Sequence, residues 1–474
     1  MKNIPLVVDL DGTLVATDTL VESVVALVRK SPIALLWIPF WLLGGRSSFK
    51  QRVAAAHRLN VAALPWRTQF VDWLRQQKAA GRQLVLATAA DRQIANDVHA
   101  ALPLFDHVLA SGEGCNLKGR NKLAAVQALF GRDFVYAGDS RADLPIWHEA
   151  RAAVLVGASR SLSAQVRAKV VVEAEFPGAS VDWRLWLRAI RVHQWVKNVL
   201  LFVPLLTSFS FGDLQKVSVV LVAFVAFSLA ASATYLLNDL WDLENDRQHD
   251  RKRHRPLASG ALPLMQGVLG AAGLLVLAVL LATWASGAFA LMLLGYVVLT
   301  TAYSWLLKSY VLMDVLMLAL LYTYRVLAGG VALALPLTPW LLAFSVFTFL
   351  SLALVKRCAE LVALEASGKS QTRGRDYRVS DLAILWPLGV GASLCSVVVF
   401  GLFIGTPQAQ AVYGDSSLLW LVGVVLIYWT ARMWIKTSRG EMHDDPIVFA
   451  LKDRGSLVAV LAMALIPVLV HFFS

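Results

Sequence analysis

The sequence contains little cysteine and little charge. Its three cysteines, Cys115, Cys358 and Cys395, are widely separated among 474 residues, which excludes a disulfide framework and a thiolate metal site. Charged residues make up 16% of the chain and hydrophobic residues 57%, with a mean hydropathy of +0.60. Because soluble globular domains carry about 25% charged residues, this composition indicates a protein embedded in a membrane.

The sequence also lacks a long apolar run at its start. The first twelve residues, MKNIPLVVDLDG, contain a short apolar run that ends in acids, which predicts a strand rather than a signal peptide. The net charge is +12, but the basic residues are concentrated in alternate loops between apolar blocks. This distribution is typical of membrane topology and of contact with anionic headgroups, so we predict no nucleic-acid partner.

The chain divides into a soluble half and a membrane half. Residues 1 to about 185 mix charged and apolar positions, whereas the remainder alternates apolar blocks with charged loops. With about 18 apolar residues for each crossing, we predict nine transmembrane helices at 194–211, 216–238, 263–285, 287–307, 311–331, 338–357, 381–405, 417–437 and 456–473.

The positive-inside rule sets the predicted orientation. Basic residues, Lys369 and Arg373 among them, follow the even-numbered helices. We therefore expect these loops and the N-terminal domain in the cytoplasm of a bacterial cell, beneath its inner membrane, and Ser474 outside.

Acidic residues follow two predicted strands of the soluble half. VVDLDGTL places Asp9 and Asp11 after a β-branched strand, and FVYAGDSRAD places Asp139 and Asp143 after another. A strand QLVLATAAD, ending near Thr88, lies between them. Because sites form at the carboxyl ends of parallel strands, we expect these groups to meet. A magnesium phosphatase requires one carboxylate that attacks phosphorus, a second that protonates the leaving oxygen and others that hold the cation.

The segments DLDGT, Thr88, NLKG and GDSRAD resemble the haloacid dehalogenase superfamily over about residues 4 to 160. The resemblance implies that Asp9 is the nucleophile and Asp11 the general acid and base. It implies magnesium ligands among Asp9, Asp11, Asp139 and Asp143. Thr88 and Lys118 would bind the phosphoryl group, with Lys122 as the alternative lysine.

Residues 20 to 75, between the first two motifs, are expected to form a helical cap over the phosphatase site. Within them SPIALLWIPFWLLGG is apolar for about a dozen residues, which is too short to span a bilayer. Two interpretations remain open: this segment packs in the core of the cap, or it enters the membrane interface so that the site faces a lipid-linked substrate. We favour the second.

A charged segment between two apolar blocks, NDLWDLENDRQHDRKRHRPLASG, begins at Asn238. Asp239, Asp242 and Asp246 are spaced by three and four residues, so a helix brings their oxygens and that of Asn238 to one face. Such acids repel unless a cation joins them, and magnesium with a diphosphate is the usual partner. The nearby residues expected to bind the phosphates are Arg247, His249, Lys252 and Arg255.

This motif, with RVHQWVKN and YSWLLKSYVLMD, resembles the UbiA superfamily of intramembrane prenyltransferases over residues 185 to 474. In that family, cytoplasmic acidic motifs bind the magnesium and diphosphate of the substrate. The usual second D-x-x-x-D is incomplete, because Leu318 stands four residues after Asp314. The candidates for the remaining phosphate, ribose and supporting contacts are Lys197, Tyr303, Lys308, Asp314, Lys356, Arg357, Glu360, Arg375 and Tyr377.

The motif and the segments at 355–377 and 440–457 look closest to decaprenyl-phosphate phosphoribosyltransferases. This resemblance implies phosphoribosyl diphosphate as donor, a polyprenyl phosphate as acceptor and Mg²⁺ as cofactor. The soluble domain would then remove the 5-phosphate of the lipid product. The alternatives are an isoprenyl diphosphate-dependent prenyltransferase acting on an aromatic or small acceptor, and a non-enzymatic anchor for the phosphatase.

The predicted fold is an α/β Rossmann-like phosphatase domain with a helical cap, followed by an all-α bundle of nine transmembrane helices. The predicted boundaries are residues 1–160 for the first domain, 161–185 for a linker and 186–474 for the membrane domain.

Overall fold

The computed structural model describes residues 4–112, 116–368, 375–414, 416–442 and 445–473, without the side chains of Arg46 and Ser47. Cys115, Lys369, Arg373 and Ser474 therefore lie outside the described residues. Two compact units make up the chain: Met1–Ile190 with Tyr235–Ala271, and Arg191–Thr234 with Ala272–Ser474. The acidic segment from Asn238 onward thus belongs to the same unit as the N-terminal domain.

The first unit contains a six-stranded parallel sheet with the order β3-β2-β1-β4-β5-β6. Its strands are β1 (Leu6–Val8), β2 (Leu84–Asp91), β3 (His107–Ser111), β4 (Val135–Gly138), β5 (Ala152–Val156) and β6 (Val172–Phe176). Val8 of β1 pairs with Leu86 on one side and with Ala137 on the other. This register places the residues after β1 and β4 side by side at one edge, as the sequence predicts.

Helices cover both faces of this sheet, and buried aliphatic side chains fill the space on each side. The helices of residues 4–190 are α1 (Thr19–Lys30), α2 (Ala34–Leu43), α3 (Arg46–Ala56), α4 (Thr68–Ala79), α5 (Arg92–Ala101), α6 (Arg120–Phe130), α7 (Leu144–Glu149), α8 (Arg160–Arg167) and α9 (Trp183–Ala189). The α/β class is confirmed. The sheet extends beyond residue 160, because the predicted linker 161–185 contains most of α8 and the whole of β6.

The apolar helix α2 is exposed in this unit. Trp37 is 55% exposed, Phe40 64% and Leu43 85%, although the helix is almost entirely apolar. These side chains do not form a cap core, so the interpretation that places them there is wrong.

The remaining helices are α10 (Val203–Thr207), α11 (Leu214–Trp241), α12 (Leu243–Arg247), α13 (Leu264–Ala285), α14 (Gly287–Trp305), α15 (Met313–Ala332), α16 (Pro339–Ala366), α17 (Leu382–Ile404), α18 (Pro407–Tyr413), α19 (Trp420–Ser438), α20 (Pro446–Lys452) and α21 (Arg454–Phe473). The chain is therefore a multi-pass membrane protein with a helical membrane region.

Eight helical segments among the described residues are long and apolar enough to cross a membrane. They correspond to the second through ninth predicted spans. The first, at 194–211, is not one continuous α-helix: residues Val192–Phe202 form 3₁₀ turns, and the short α10 follows. Pro204, which has no backbone N–H, lies in the first turn of α10, a position that a proline tolerates.

Candidate functional sites

Three carboxylates meet at the edge of the sheet where β1 and β4 end. Asp9, Asp139 and Asp143 each offer one oxygen within 4.8 Å of the others. Gly12 makes this approach possible, because a Cβ there would lie 2.2 Å from Asp139 Oδ2. A set of hard oxygen donors at this spacing fits a magnesium ion. Asp11, also predicted as a ligand, lies outside this group.

Of the two candidate lysines, Lys122 is the one that contacts Asp9, the predicted nucleophile. Its Nζ lies 2.8 Å from Asp9 Oδ2, and both side chains are nearly buried. Lys122 also donates to the Tyr136 hydroxyl at 3.0 Å. Lys118, the predicted phosphoryl ligand, is exposed and lines the cavity. The reason is local: α6 begins after Gly119, so Lys122 in its first turn, and not Lys118 before it, faces the strand ends.

Asp11 has the environment of a general acid. Its Oδ1 accepts a hydrogen bond from the Thr19 N–H at 2.7 Å. Burial and the neighbouring Asp18 raise the pKa of Asp11 to about 7. A carboxyl group with a pKa near neutrality can both give and take a proton at physiological pH.

Burial and like charges shape the rest of this cluster. Burial, with the charges of Asp143 and Asp9, raises the pKa of Asp139 to about 8. Asp143 accepts hydrogen bonds from the Tyr136 hydroxyl at 2.9 Å and from the Ser140 N–H at 3.1 Å. The acids therefore repel one another in a protein interior, a conflict that a divalent cation relieves.

The acids lie in a cavity of about 1610 Å³. Thr88 is fully buried, and its hydroxyl accepts a hydrogen bond from the Ala90 N–H at 3.0 Å. Ala89 and Ala90 line the cavity, but Thr88 does not. Thr88 thus lies behind the cavity wall in this arrangement, and its predicted contact with a phosphate stays a prediction. The strand continues to Asp91, with a shift in register between Ala87 and Asp91.

The acidic motif of the same unit lies where α11 ends and α12 begins. Arg255 Nη1 contacts Asp246 Oδ2 at 2.5 Å and Asp239 Oδ1 at 3.0 Å. Lys252 Nζ lies 3.8 Å from Asp246 Oδ1. Burial raises the pKa of Asp246, while Arg255 and Lys252 lower it. Asp239 and Asp246 therefore share the Arg255 guanidinium across the break between α11 and α12. The predicted joint binding of a cation by the four motif residues stays a prediction.

Asn238 and Asp242 belong to the same stretch. The Asp242 N–H donates to the Asn238 carbonyl, and the Asp246 N–H donates to the Asp242 carbonyl. Among the described residues, the motif acids do not form a group with the close oxygen spacing of Asp9, Asp139 and Asp143.

Two predicted phosphate ligands of this motif have other partners. The guanidinium of Arg247 binds both carboxylate oxygens of Glu22, at 2.6 and 3.1 Å. Its side chain is only 7% exposed, so it is not available to a substrate in this arrangement. His249 is exposed, and its Nδ1 accepts a hydrogen bond from the Arg251 N–H at 3.2 Å.

In the second unit, two predicted cations share one acid that the sequence analysis missed. Lys197 Nζ lies 2.7 Å and Lys356 Nζ 3.3 Å from Asp445 Oδ2. Burial raises the pKa of Asp445, but Lys356 and Lys197 lower it to about 2. The acidic pair in GEMHDDPI was a signal for this residue, although nothing in the sequence names its partners.

Other predicted residues of the second unit form a buried network. Asp314 Oδ2 contacts Arg357 Nη2 at 2.5 Å, and the Tyr377 hydroxyl donates to Asp314 Oδ1 at 2.5 Å. All three side chains are fully buried. In this arrangement the three side chains satisfy one another's polar groups, and their predicted contacts with a substrate stay a prediction.

The rim of this network is more open. Arg357 and Arg375 both contact Glu360, and Arg375 lies 3.4 Å from it. Tyr303 forms a side-chain hydrogen bond with Arg375. Lys308 lies in the 3₁₀ turn Leu307–Ser309 that precedes α15.

Two family models match the chain. The model of the UbiA prenyltransferase family matches residues 200–469. The model described as haloacid dehalogenase-like hydrolase matches residues 6–148. The two matches fall on the membrane half and on the parallel sheet, respectively.

Three curated proteins illustrate the similarity. An uncharacterized protein, y4nM, of Sinorhizobium fredii is 40% identical and covers 96% of this chain and 89% of its own length. The nodulation protein NoeC of Azorhizobium caulinodans is 36% identical over 60% of this chain and 93% of its own length. A decaprenyl-phosphate phosphoribosyltransferase of Mycolicibacterium smegmatis is 36% identical over 58% of this chain and 89% of its own length.

Proposed function

The chain belongs to the UbiA prenyltransferase family and carries a haloacid dehalogenase-like hydrolase domain, and from this premise we propose that it is a bifunctional membrane enzyme. The membrane half transfers 5-phosphoribose from phosphoribosyl diphosphate to a polyprenyl phosphate. The soluble domain then removes the 5-phosphate of the lipid-linked product.

The proposed transfer uses the acidic motif. Asp239, Asp242 and Asp246, with Asn238, would hold Mg²⁺, which when bound shields the charge of the departing diphosphate. Arg255, already in contact with two of these acids, would supply a positive charge to the phosphate oxygens. Positive groups arranged before the reaction stabilise the charge that develops on the leaving group. Donor and acceptor follow from the named relative.

The state of Asp314 supports a pentosyl donor over an isoprenyl diphosphate. A second acidic motif would need an acid free to approach a cation, but Asp314 is fully buried between Arg357 and Tyr377. The first motif would therefore act without a second D-x-x-x-D. This favours our proposal over a prenyltransferase that acts on an aromatic or small acceptor.

The proposed phosphatase reaction uses Asp11 and the three carboxylates that meet at the sheet edge, Asp9, Asp139 and Asp143. Asp9, with its carboxylate held by Lys122 at 2.8 Å, attacks the phosphorus atom and forms an aspartyl-phosphate as the bond from phosphorus to the ribose 5-oxygen breaks. Asp11 protonates that leaving oxygen. A water molecule then attacks the phosphorus atom, Asp11 takes its proton, and phosphate leaves as the Asp9 carboxylate is restored. Asp9, Asp139 and Asp143 would hold the magnesium ion.

The residues that line the phosphatase cavity support the proposal that the two reactions act on one lipid. Pro263, Leu264 and Met265, at the start of the apolar helix α13, line the same cavity as Asp9, and so does Leu42 of α2. A soluble sugar phosphate would gain nothing from this apolar wall, whereas a lipid-linked ester would bury apolar surface against it. One chain that carries both sites also raises the effective concentration of the second site for the product of the first.

The exposure of helix α2 supports the proposal that the phosphatase substrate is held in a membrane. Its large apolar side chains are exposed, and the exposed Lys30 precedes them. An exposed apolar helix next to a basic residue suits the interface of a membrane with anionic lipids. We therefore extend the proposal: α2 enters the interface and brings the cavity to its lipid substrate.

The transfer reaction is tested with purified full-length protein, Mg²⁺ and two substrate pairs. One pair is phosphoribosyl diphosphate with polyprenyl phosphate, and the other is an isoprenyl diphosphate with an aromatic acceptor. We expect a lipid product only from the first pair, loss of product in Asp242→Ala, and wild-type activity in Asp250→Ala, because Asp250 is an exposed acid in the same loop. Product from the second pair alone would contradict the proposal.

A further inference from the structure

Helix α1 of the phosphatase domain holds the acidic motif through a buried ion pair. Glu22 is 4% exposed and binds Arg247 through both carboxylate oxygens, while Arg247 Nε donates to the Ala258 carbonyl at 2.9 Å. The Thr17 hydroxyl donates to Glu22 at 2.7 Å. A bidentate pair of this kind fixes both the distance and the orientation of its partners.

A second contact repeats this arrangement along the same two helices. Arg29 Nη1 lies 2.6 Å from Glu244 Oε2. Glu22 and Arg29 are seven residues apart and lie on one face of α1. Glu244 and Arg247 are three apart and lie on one face of α12.

Apolar side chains from both segments line a small cleft together with the ion-paired residues. Val25 and Ala26 of α1 line it with Leu240 and Leu243, and its volume is about 20 Å³. The loop that follows α12 is also close, because a Cβ on Gly260 would lie 2.4 Å from the Ala16 carbonyl oxygen. The acidic motif is thus held against the phosphatase domain at several points.

These contacts fix residues next to the motif acids. Arg247 directly follows Asp246 in the chain, and the carboxylates of Asp246 and Asp239 both contact Arg255. A shift of α12 would therefore move Asp246 relative to Asp239. We infer that the phosphatase domain is a structural part of the transferase: Glu22 is a positioning residue that acts through Arg247 on Asp246. This inference rests on the proposed role of the motif in binding the diphosphate.

The test uses the full chain and compares Glu22→Gln, Glu22→Asp and a matched control, Glu149→Gln. Glu149 pairs with Arg132 at 3.0 Å, and Arg132 is 78% exposed, so this control removes one carboxylate from the same domain at its surface. Transfer kinetics are measured with phosphoribosyl diphosphate, polyprenyl phosphate and varied Mg²⁺. Thermal unfolding of each variant verifies that it is folded.

We expect Glu22→Gln to lower kcat/KM for transfer by up to about 10²-fold, the scale of a displacement of about 1 Å in an active site. The loss should appear largely as a higher apparent KM for Mg²⁺ and donor, with Glu22→Asp between the wild type and Glu22→Gln. The Glu149→Gln variant should match the wild type. Wild-type apparent KM values for Mg²⁺ and donor in Glu22→Gln would overturn the inference.

Hydrogen–deuterium exchange separates this inference from the proposed function. In Glu22→Gln, the amides of residues 243–262 should exchange faster than in the wild type and in Glu149→Gln, whatever substrate the enzyme uses. If the wild type transfers no phosphoribose but this exchange increases, the proposed function fails and the positioning role stands. Unchanged exchange in this segment would refute the positioning role.

Discussion

Replacement of Lys122 by methionine should lower the rate of the phosphatase reaction by about 10²-fold while leaving transfer intact. Lys122 Nζ and Asp9 Oδ2 are 2.8 Å apart, with side chains only 4% and 12% exposed. At an effective dielectric constant of about 20, two unit charges at this distance attract each other by about 6 kcal/mol. Removal of one partner from a buried pair costs about 3–5 kcal/mol, because the other charge remains buried.

A loss of about 3 kcal/mol in the stabilisation of the Asp9 carboxylate corresponds to about a 10²-fold lower rate. The assay is hydrolysis of a small soluble phosphate ester by the full-length protein, with thermal unfolding as the check of folding. Lys118→Met is the matched control, since Lys118 lines the same cavity but is exposed. A larger loss in Lys118→Met than in Lys122→Met would refute the assignment.

Three further predictions concern the remaining groups. Gly12→Ala should abolish phosphatase activity, because the new Cβ would lie 2.2 Å from Asp139 Oδ2. The control Gly131→Ala, at a glycine with positive φ but no close neighbour, should only lower stability. Hydrolysis and unfolding assays separate the two effects. Deletion of residues 33–43 should spare hydrolysis of a soluble ester and reduce that of a membrane-embedded one, and equal losses would contradict the interfacial role of α2. The pKa of Asp445 is about 2, below its ordinary value of 3.8, because of its ion pairs. These ion pairs therefore stabilise the fold above pH 4, and the stabilisation is lost as the pH falls toward 2. Asp445→Asn should therefore lower Tm in detergent at pH 7 by about 2–4 °C for each kcal/mol lost, with a difference from the wild type that shrinks below pH 4.

The acids at the strand ends could be predicted because they depend on local patterns. A short β-branched run followed by a carboxylate identifies a buried strand and its carboxyl end, and β1 and β4 lie side by side in the parallel sheet. Asp9 and Asp139 therefore meet as expected. The choice between Lys118 and Lys122 depended on where α6 begins, which a lysine spacing of four does not reveal.

Pairings over long sequence distances could not be predicted. Glu22 and Arg247 are separated by 225 residues, and Lys197 and Asp445 by 248. A sequence pattern indicates that a basic residue lies near an acidic motif, but not which carboxylate it binds. For this reason the sequence pattern predicts that Arg247 binds a substrate phosphate, whereas in the structure Arg247 is paired with Glu22.

The membrane helices were predictable from hydropathy except at the first one. The segment 194–211 is apolar enough for a crossing, but composition does not distinguish a continuous α-helix from 3₁₀ turns followed by the short α10. Similarly, hydropathy identified α2 as apolar without showing that its side chains would be exposed.

The most direct test of the central claim is mass spectrometry of the lipid product made by the wild type and by Asp9→Asn. Both proteins receive phosphoribosyl diphosphate, polyprenyl phosphate and Mg²⁺. We predict a polyprenyl-phosphoryl ribose without a 5-phosphate from the wild type, and a product heavier by one phosphate from Asp9→Asn. Accumulation of the same 5-phosphorylated lipid by both proteins would contradict the account that one chain performs the two reactions in sequence.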